Sequence, residues 1–137
     1  MDLRYTPEDI EFRKQVRAWL EENLPEKEPE TLEERRAWHR KMYEAGFIGM
    51  GWPKEYGGRE ARPMEQAIVG EELARYNAPQ GVGGLGISIV GPTLIHHGTE
   101  EQKERFLKNI ISGEEIWCQL FSEPNAGSDL ANLQFRA

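Results

Sequence analysis

The stretch Ile116-Trp-Cys-Gln-Leu-Phe-Ser-Glu-Pro-Asn-Ala-Gly-Ser-Asp129 holds two kinds of residue in succession. Residues 116–121 have the apolar, aromatic and β-branched composition of a strand. The eight that follow are dense in small, hydroxyl-bearing and acidic residues. Pro124 fixes one dihedral, and Gly127 opens backbone conformations closed to other residues. Such a turn can aim successive N–H groups at an anion, with the Ser122 and Ser128 hydroxyls assisting. Chemistry alone makes this segment a candidate phosphate or cofactor loop, with a plain turn as the alternative. A strand with no partner strand before it also suggests that the chain stops just inside a second, β-rich region.

Everything upstream reads as helix. Thr6 can cap a helix over residues 6–24, with Pro7 where its missing N–H is harmless and Glu8 and Asp9 at the positive end of the dipole. Phe12, Val16, Trp19, Leu20 and Leu24 form one apolar stripe at helical spacing. Thr31 and Glu34 make a capping box for a second helix that runs to about Ala45, where Gly46 stops it. Trp38, Met42 and Ala45 face inward. The connection 46–58, rich in glycine and aromatics, predicts a packed loop. Residues 63–76 form a third helix with Ile68, Leu73 and Tyr76 in the core, ended by Asn77-Ala-Pro79. A small-residue helix follows over 85–97. Thr99 and Gln102 box the start of another, which reaches Ile111 and is stopped by Ser112-Gly113.

Composition narrows the partners. With 137 residues the chain suits one domain and can bury a core without disulfides. Its formal net charge of -7 argues against nucleic acid, which needs clustered Lys and Arg. Backbone donors can still hold a small anion on an acidic protein. Cys118 is the single cysteine, so no internal disulfide forms. Its apolar neighbours predict a partly buried, unreactive thiol. The first residues lack a secretory pattern and no apolar run reaches membrane-spanning length, so a cytoplasmic location is expected.

Other motifs favour bland readings. Gly81-Val-Gly-Gly-Leu-Gly86 matches G-x-G-x-x-G, yet a helix precedes it where a dinucleotide site needs a strand. Close helix packing is the better explanation. His96 and His97 are adjacent, about 100° apart on a helix, and do not make a metal pair, so no metal is expected. Glu71 and Glu72 read as a solvated charged face.

Ser122-Glu-Pro-Asn-Ala-Gly-Ser-Asp129 resembles the (T/S)-E-P-x-A-G-S-D signature of the acyl-CoA dehydrogenase family. Three further blocks resemble that family in order: Gly51-Trp-Pro-Lys-Glu-Tyr-Gly-Gly58, Gly98-Thr-Glu-Glu-Gln-Lys-Glu-Arg-Phe-Leu107 and Gly113-Glu-Glu-Ile-Trp-Cys-Gln119. The resemblance covers essentially the whole chain. It implies a mainly α fold, the orthogonal helical bundle of the family's N-terminal domain, ending in a short β segment. Residues 1–115 then correspond to that helical domain, and 116–137 to the start of a truncated middle β-barrel domain.

By the same resemblance the cofactor is FAD, bordered by Gln119, Leu120, Phe121, Ser122, Gly127 and Ser128. Ser122 stands where the family contacts the isoalloxazine ring, and Ser128 where it touches both cofactor and the pantetheine of the acyl-CoA. The implied reaction is α,β-dehydrogenation: a base takes the α-proton of the thioester and the β-hydride passes to the flavin. The family's base is a glutamate beyond this region, so no catalytic residue is assigned here. The implied partners are an acyl-CoA substrate, an electron-transfer flavoprotein or similar acceptor, and the enzyme's remaining domains or partner chains in an oligomer. Trp117-Cys-Gln119 looks closer to bacterial members acting on branched or steroid side-chain acyl-CoAs. A non-catalytic helical assembly module derived from the family, or an acyl-CoA oxidase, are the alternatives.

Overall fold

The computed structural model describes residues 4–135, and the parts of the expected segments at 1–3 and 136–137 lie outside them. Five α-helices make up the body: α1 (Pro7–Asn23), α2 (Leu32–Glu44), α3 (Pro63–Arg75), α4 (Gly91–His97) and α5 (Glu100–Ser112). The mainly α architecture is as expected. Each predicted cap is present. The Thr6, Thr31 and Thr99 hydroxyls accept from the N–H groups of Asp9, Glu34 and Gln102, whose side chains accept in return. Gly46, at φ 75°, ends α2 by donating to Tyr43 O while Phe47 N–H reaches Met42 O. Asn77 takes the same left-handed role after α3, at φ 47°.

Two apolar clusters hold the helices. The first joins Val16 and Leu20 of α1, Trp38 and Met42 of α2, and Val69 of α3, with Phe12, Trp19, Leu24, Leu73 and Tyr76 packed around them. Each fully buried aliphatic side chain contributes roughly 1.5–3 kcal/mol. The second gathers Leu107, Ile110 and Ile111 of α5 against Trp52 and the segment leading into α4. The loop between α2 and α3 bridges them, sending buried Met50 to one and buried Trp52 to the other. It is the packed loop its aromatics predict.

Three expectations need correction. Residues 116–121 lie in no strand, because an extended segment without a neighbouring strand has no ladder to join. Among the described residues the only β pairing is an isolated bridge between Glu123 and Ala126. The helix expected over 85–97 begins with a π-helical turn, Gly86–Val90, before α4 proper. Glu72 is not on a solvated face: it is 1% exposed and held by two arginines of α1, Arg13 at 2.6 Å and Arg17 at 2.7 Å. Glu71 alone keeps to the surface, pairing with Arg13.

Candidate cofactor-facing segment and apolar groove

The signature segment is anchored at its start. Gly113, left-handed at φ 79°, closes α5, and Glu115 N–H reaches back to Asn109 O. Glu114 pairs with Arg40, and Glu115 with Arg105. The Trp117 ring stands edge-on to Phe106, centroids 5.2 Å apart. Gly86 is packed beneath it, where an added Cβ would crowd Ile110 at 3.1 Å. Here the glycine-rich motif provides the close packing that the sequence favours.

Beyond Trp117 the chain leaves the helical body. Cys118 is exposed, against the expectation of partial burial, since its neighbour Trp117 packs on Phe106 and leaves the thiol uncovered. Gln119 is exposed, as are Leu120 (88%) and Phe121 (71%). The signature then closes into a tight turn. Glu123 N–H donates to Ala126 O at 2.8 Å, and Ala126 N–H returns to Glu123 O at 3.1 Å. The Glu123 carboxylate accepts from the N–H groups of Gln134 and Phe135, at 3.0 and 2.7 Å, and Asn132 Nδ2 donates to Asn125 O. Glu123 therefore braces the loop, a role that spacing does not announce because its partners are backbone groups eleven and twelve residues away. The anion-loop reading changes accordingly. The N–H groups of Glu123 and Ala126 are consumed inside the turn, while the Ser122 and Ser128 hydroxyls and the N–H groups of Leu120, Phe121, Ser122, Gly127 and Ser128 have no protein partner among the described residues. The segment thus sets exposed apolar side chains beside hydroxyls and amides that have no protein partner among the described residues.

An apolar groove of about 680 Å³ runs between the α2–α3 loop, α3 and the π turn, lined among others by Phe47, Met50, Trp52, Leu73, Ile87 and Ser88. His39 of α2 is fully buried; its Nε2 meets Ile111 O at 2.9 Å while Nδ1 has no protein partner. Burial holds its pKa below the ordinary value, outweighing the opposite pull of the carbonyl, so the ring is neutral with the proton on Nε2. The guanidinium groups of Arg17 and Arg13 hold Glu72 down to about 2, against burial. Among the described residues no group of three or more His, Cys, Asp or Glu could hold a metal ion, and no helix is long and apolar enough to cross a membrane.

The profile of the acyl-CoA dehydrogenase N-terminal domain matches residues 6–114. Acyl-CoA dehydrogenase IpdE1 of Mycolicibacterium smegmatis is 47% identical over 93% of this chain and 36% of its own length. The IpdE1 protein of Mycobacterium tuberculosis is 45% identical over 90% of this chain and 35% of its own. Among solved structures, the ChsE4-ChsE5 complex from Mycobacterium tuberculosis superposes with a TM-score of 0.80 at 38% identity, covering 97% of this chain and 35% of that one. A steroid ACAD, Tcur3481-Tcur3483, gives 0.79 at 35% identity, covering 99% and 37%. The chain thus spans about a third of the length of the relatives it matches. The family profile, the sequence relatives and the shared helical fold agree: the chain belongs to the acyl-CoA dehydrogenase family, and its residues 6–114 match that family's N-terminal domain.

Proposed function

We propose that this chain is the N-terminal part of an FAD-dependent enzyme that dehydrogenates an acyl-CoA thioester between its α and β carbons. One observation carries the reading: the segment richest in site chemistry, Gln119 to Ser128, is folded into a turn braced by Glu123 yet exposes its apolar side chains and leaves its serine hydroxyls without protein partners. Its apolar side chains and unpartnered hydroxyls suit an edge, not a closed pocket. Residues 116–137 would belong to a second, β-rich domain, whose further strands would give this segment its missing ladder.

Gln119, Leu120, Phe121, Ser122, Gly127 and Ser128 would border FAD. Ser122 would offer its hydroxyl and N–H, and Ser128 would reach both the cofactor and the pantetheine arm. FAD supplies the hydride acceptor when bound. This chain's own residues bind and orient, and the α-proton goes to a base outside it. The apolar groove beside Trp52 would accept the acyl group. The steroid ACAD and the two-chain ChsE4-ChsE5 complex among the structural relatives support a bulky acyl group and completion of the site by other domains or chains. Electrons would then leave to an electron-transfer flavoprotein or similar carrier.

The test uses the complete flavin-loaded protein, alone or with its partner chains. Yellow absorbance bleached by an acyl-CoA supports the reading. Ser128→Ala should weaken acyl-CoA binding by about tenfold, one lost hydrogen bond to a charged or polar group. A complete assembly that takes up no flavin would instead mark a non-catalytic assembly module.

A further inference from the structure

We propose that Trp52 is a specificity-determining positioning residue, whose indole N–H fixes the π turn Gly86–Val90 and with it the shape of the groove wall that selects the acyl group. The inference rests on the groove's role in the proposed function. Gly91 and Pro92 are adjacent at the start of α4. The π turn closes with Gly91 N–H, which donates to Gly86 O five residues back. The next carbonyl in that ladder, Ile87 O, faces residue 92, a proline with no N–H. Ile87 is half-buried, and a carbonyl shielded from water without a donor is unfavourable. Trp52 Nε1 supplies the donor, 3.2 Å from Ile87 O.

The ring can approach only because residue 91 is glycine, since a Cβ there would overlap the Trp52 indole. Trp52, Gly91 and Pro92 are therefore one interlocking set, contributed by a loop and a helix start 35 residues apart in their hydrogen-bonded partners. Ile87, Ser88 and Pro92 line the groove together with Trp52 itself. A π turn carries one more residue than an α turn, so its conversion would rotate the preceding residues by about 100° relative to α4. Ile87 and Ser88 would then leave the wall. The hydrogen bond from Trp52 holds them there.

Trp52→Phe in the complete flavin-loaded protein keeps an aromatic ring and removes the N–H. The expected result is a change of about tenfold in the ratio of kcat/KM for a ring-bearing acyl-CoA over a straight-chain one, carried by KM, with the flavin spectrum unchanged. Amide hydrogen exchange over residues 86–93 should accelerate with it. Adding Pro92→Ala returns a backbone donor at residue 92, and the double variant should recover both slow exchange and the original ratio. Unchanged exchange in Trp52→Phe overturns the proposal, as does accelerated exchange with an unchanged ratio or without rescue. A wild-type protein that no acyl-CoA bleaches defeats the dehydrogenase reading and the selectivity claim together. In that case the exchange and rescue measurements still decide whether Trp52 holds the turn.

Discussion

His39 shows how one buried side chain can report on the state of the whole core. It lies between two glycines: a Cβ on Gly81 would stand 2.6 Å from its Nδ1, and one on Gly113 2.7 Å from its Cδ2. The ring is fully buried, so the charged form is penalised in the folded chain and free to form in the unfolded one. With a folded pKa below the unfolded value near 6.5, the unfolded chain binds more protons as pH falls through and below that value. Stability should therefore be complete above pH 7 and decline as the medium is acidified past about 6.5. His39→Leu should abolish that decline and lower stability by about 1–3 kcal/mol, because Ile111 O loses its donor. Thermal unfolding of both proteins between pH 5 and 8 checks it, and a parallel decline in the variant would assign the effect elsewhere. Nothing in the sequence around His39 announces its burial. The groups that enclose it come from residues 81 and 113, far along the chain.

At the level of elements, α1 and α3 are joined by charge as well as by apolar packing. Glu72 faces inward and meets Arg13 and Arg17, while Tyr5 and Arg13 reach Glu71 beside it. Glu72→Ala leaves two arginines facing a cavity and should destabilise the fold by about 3 kcal/mol, the low end for a broken buried pair because Arg17 remains 36% exposed. The carboxylate is held near 2 against an ordinary 4.5, so its stabilisation is present above pH 4.5 and disappears as pH falls toward 2. Chemical denaturation of the variant and the parent at pH 7 and pH 3 tests both statements; the difference between them should be smaller at pH 3. The helices themselves were legible, since caps, stop glycines and apolar spacing are local. The inward turn of Glu72 was not, because the partners that neutralise it sit 55 and 59 residues away.

The whole molecule presents an unequal surface. The helical body closes over its two clusters, whereas the last described segment exposes Leu120, Phe121, Leu130 and Phe135 beside the free Cys118 thiol. Apolar surface of this kind is characteristic of a face awaiting cover. If, as proposed, a further domain or a partner chain covers it, Cys118 should react readily with a thiol reagent in the isolated chain and at least about tenfold more slowly in the flavin-loaded assembly, by loss of access. Equal rates in the two states would mean that the segment stays open and would count against its placement along the cofactor.

Local information decided where the capped helices start and stop, which apolar residues face the core and which family signature the chain carries. Hydrogen bonds to caps and a 3.6-residue repeat involve only neighbours in sequence. The candidate site was legible as residue types: Ser122 and Ser128 were marked by the signature, and the structure leaves their hydroxyls free. Tertiary structure alone decided the rest. It set Glu123 as the brace of the signature turn, buried Glu72 and His39, and placed Trp52 opposite the carbonyl that Pro92 cannot serve. Each depends on groups distant in sequence becoming neighbours in space. It also left residues 116–121 without the strand pairing their composition favours, because a ladder is a property of two segments and not of one.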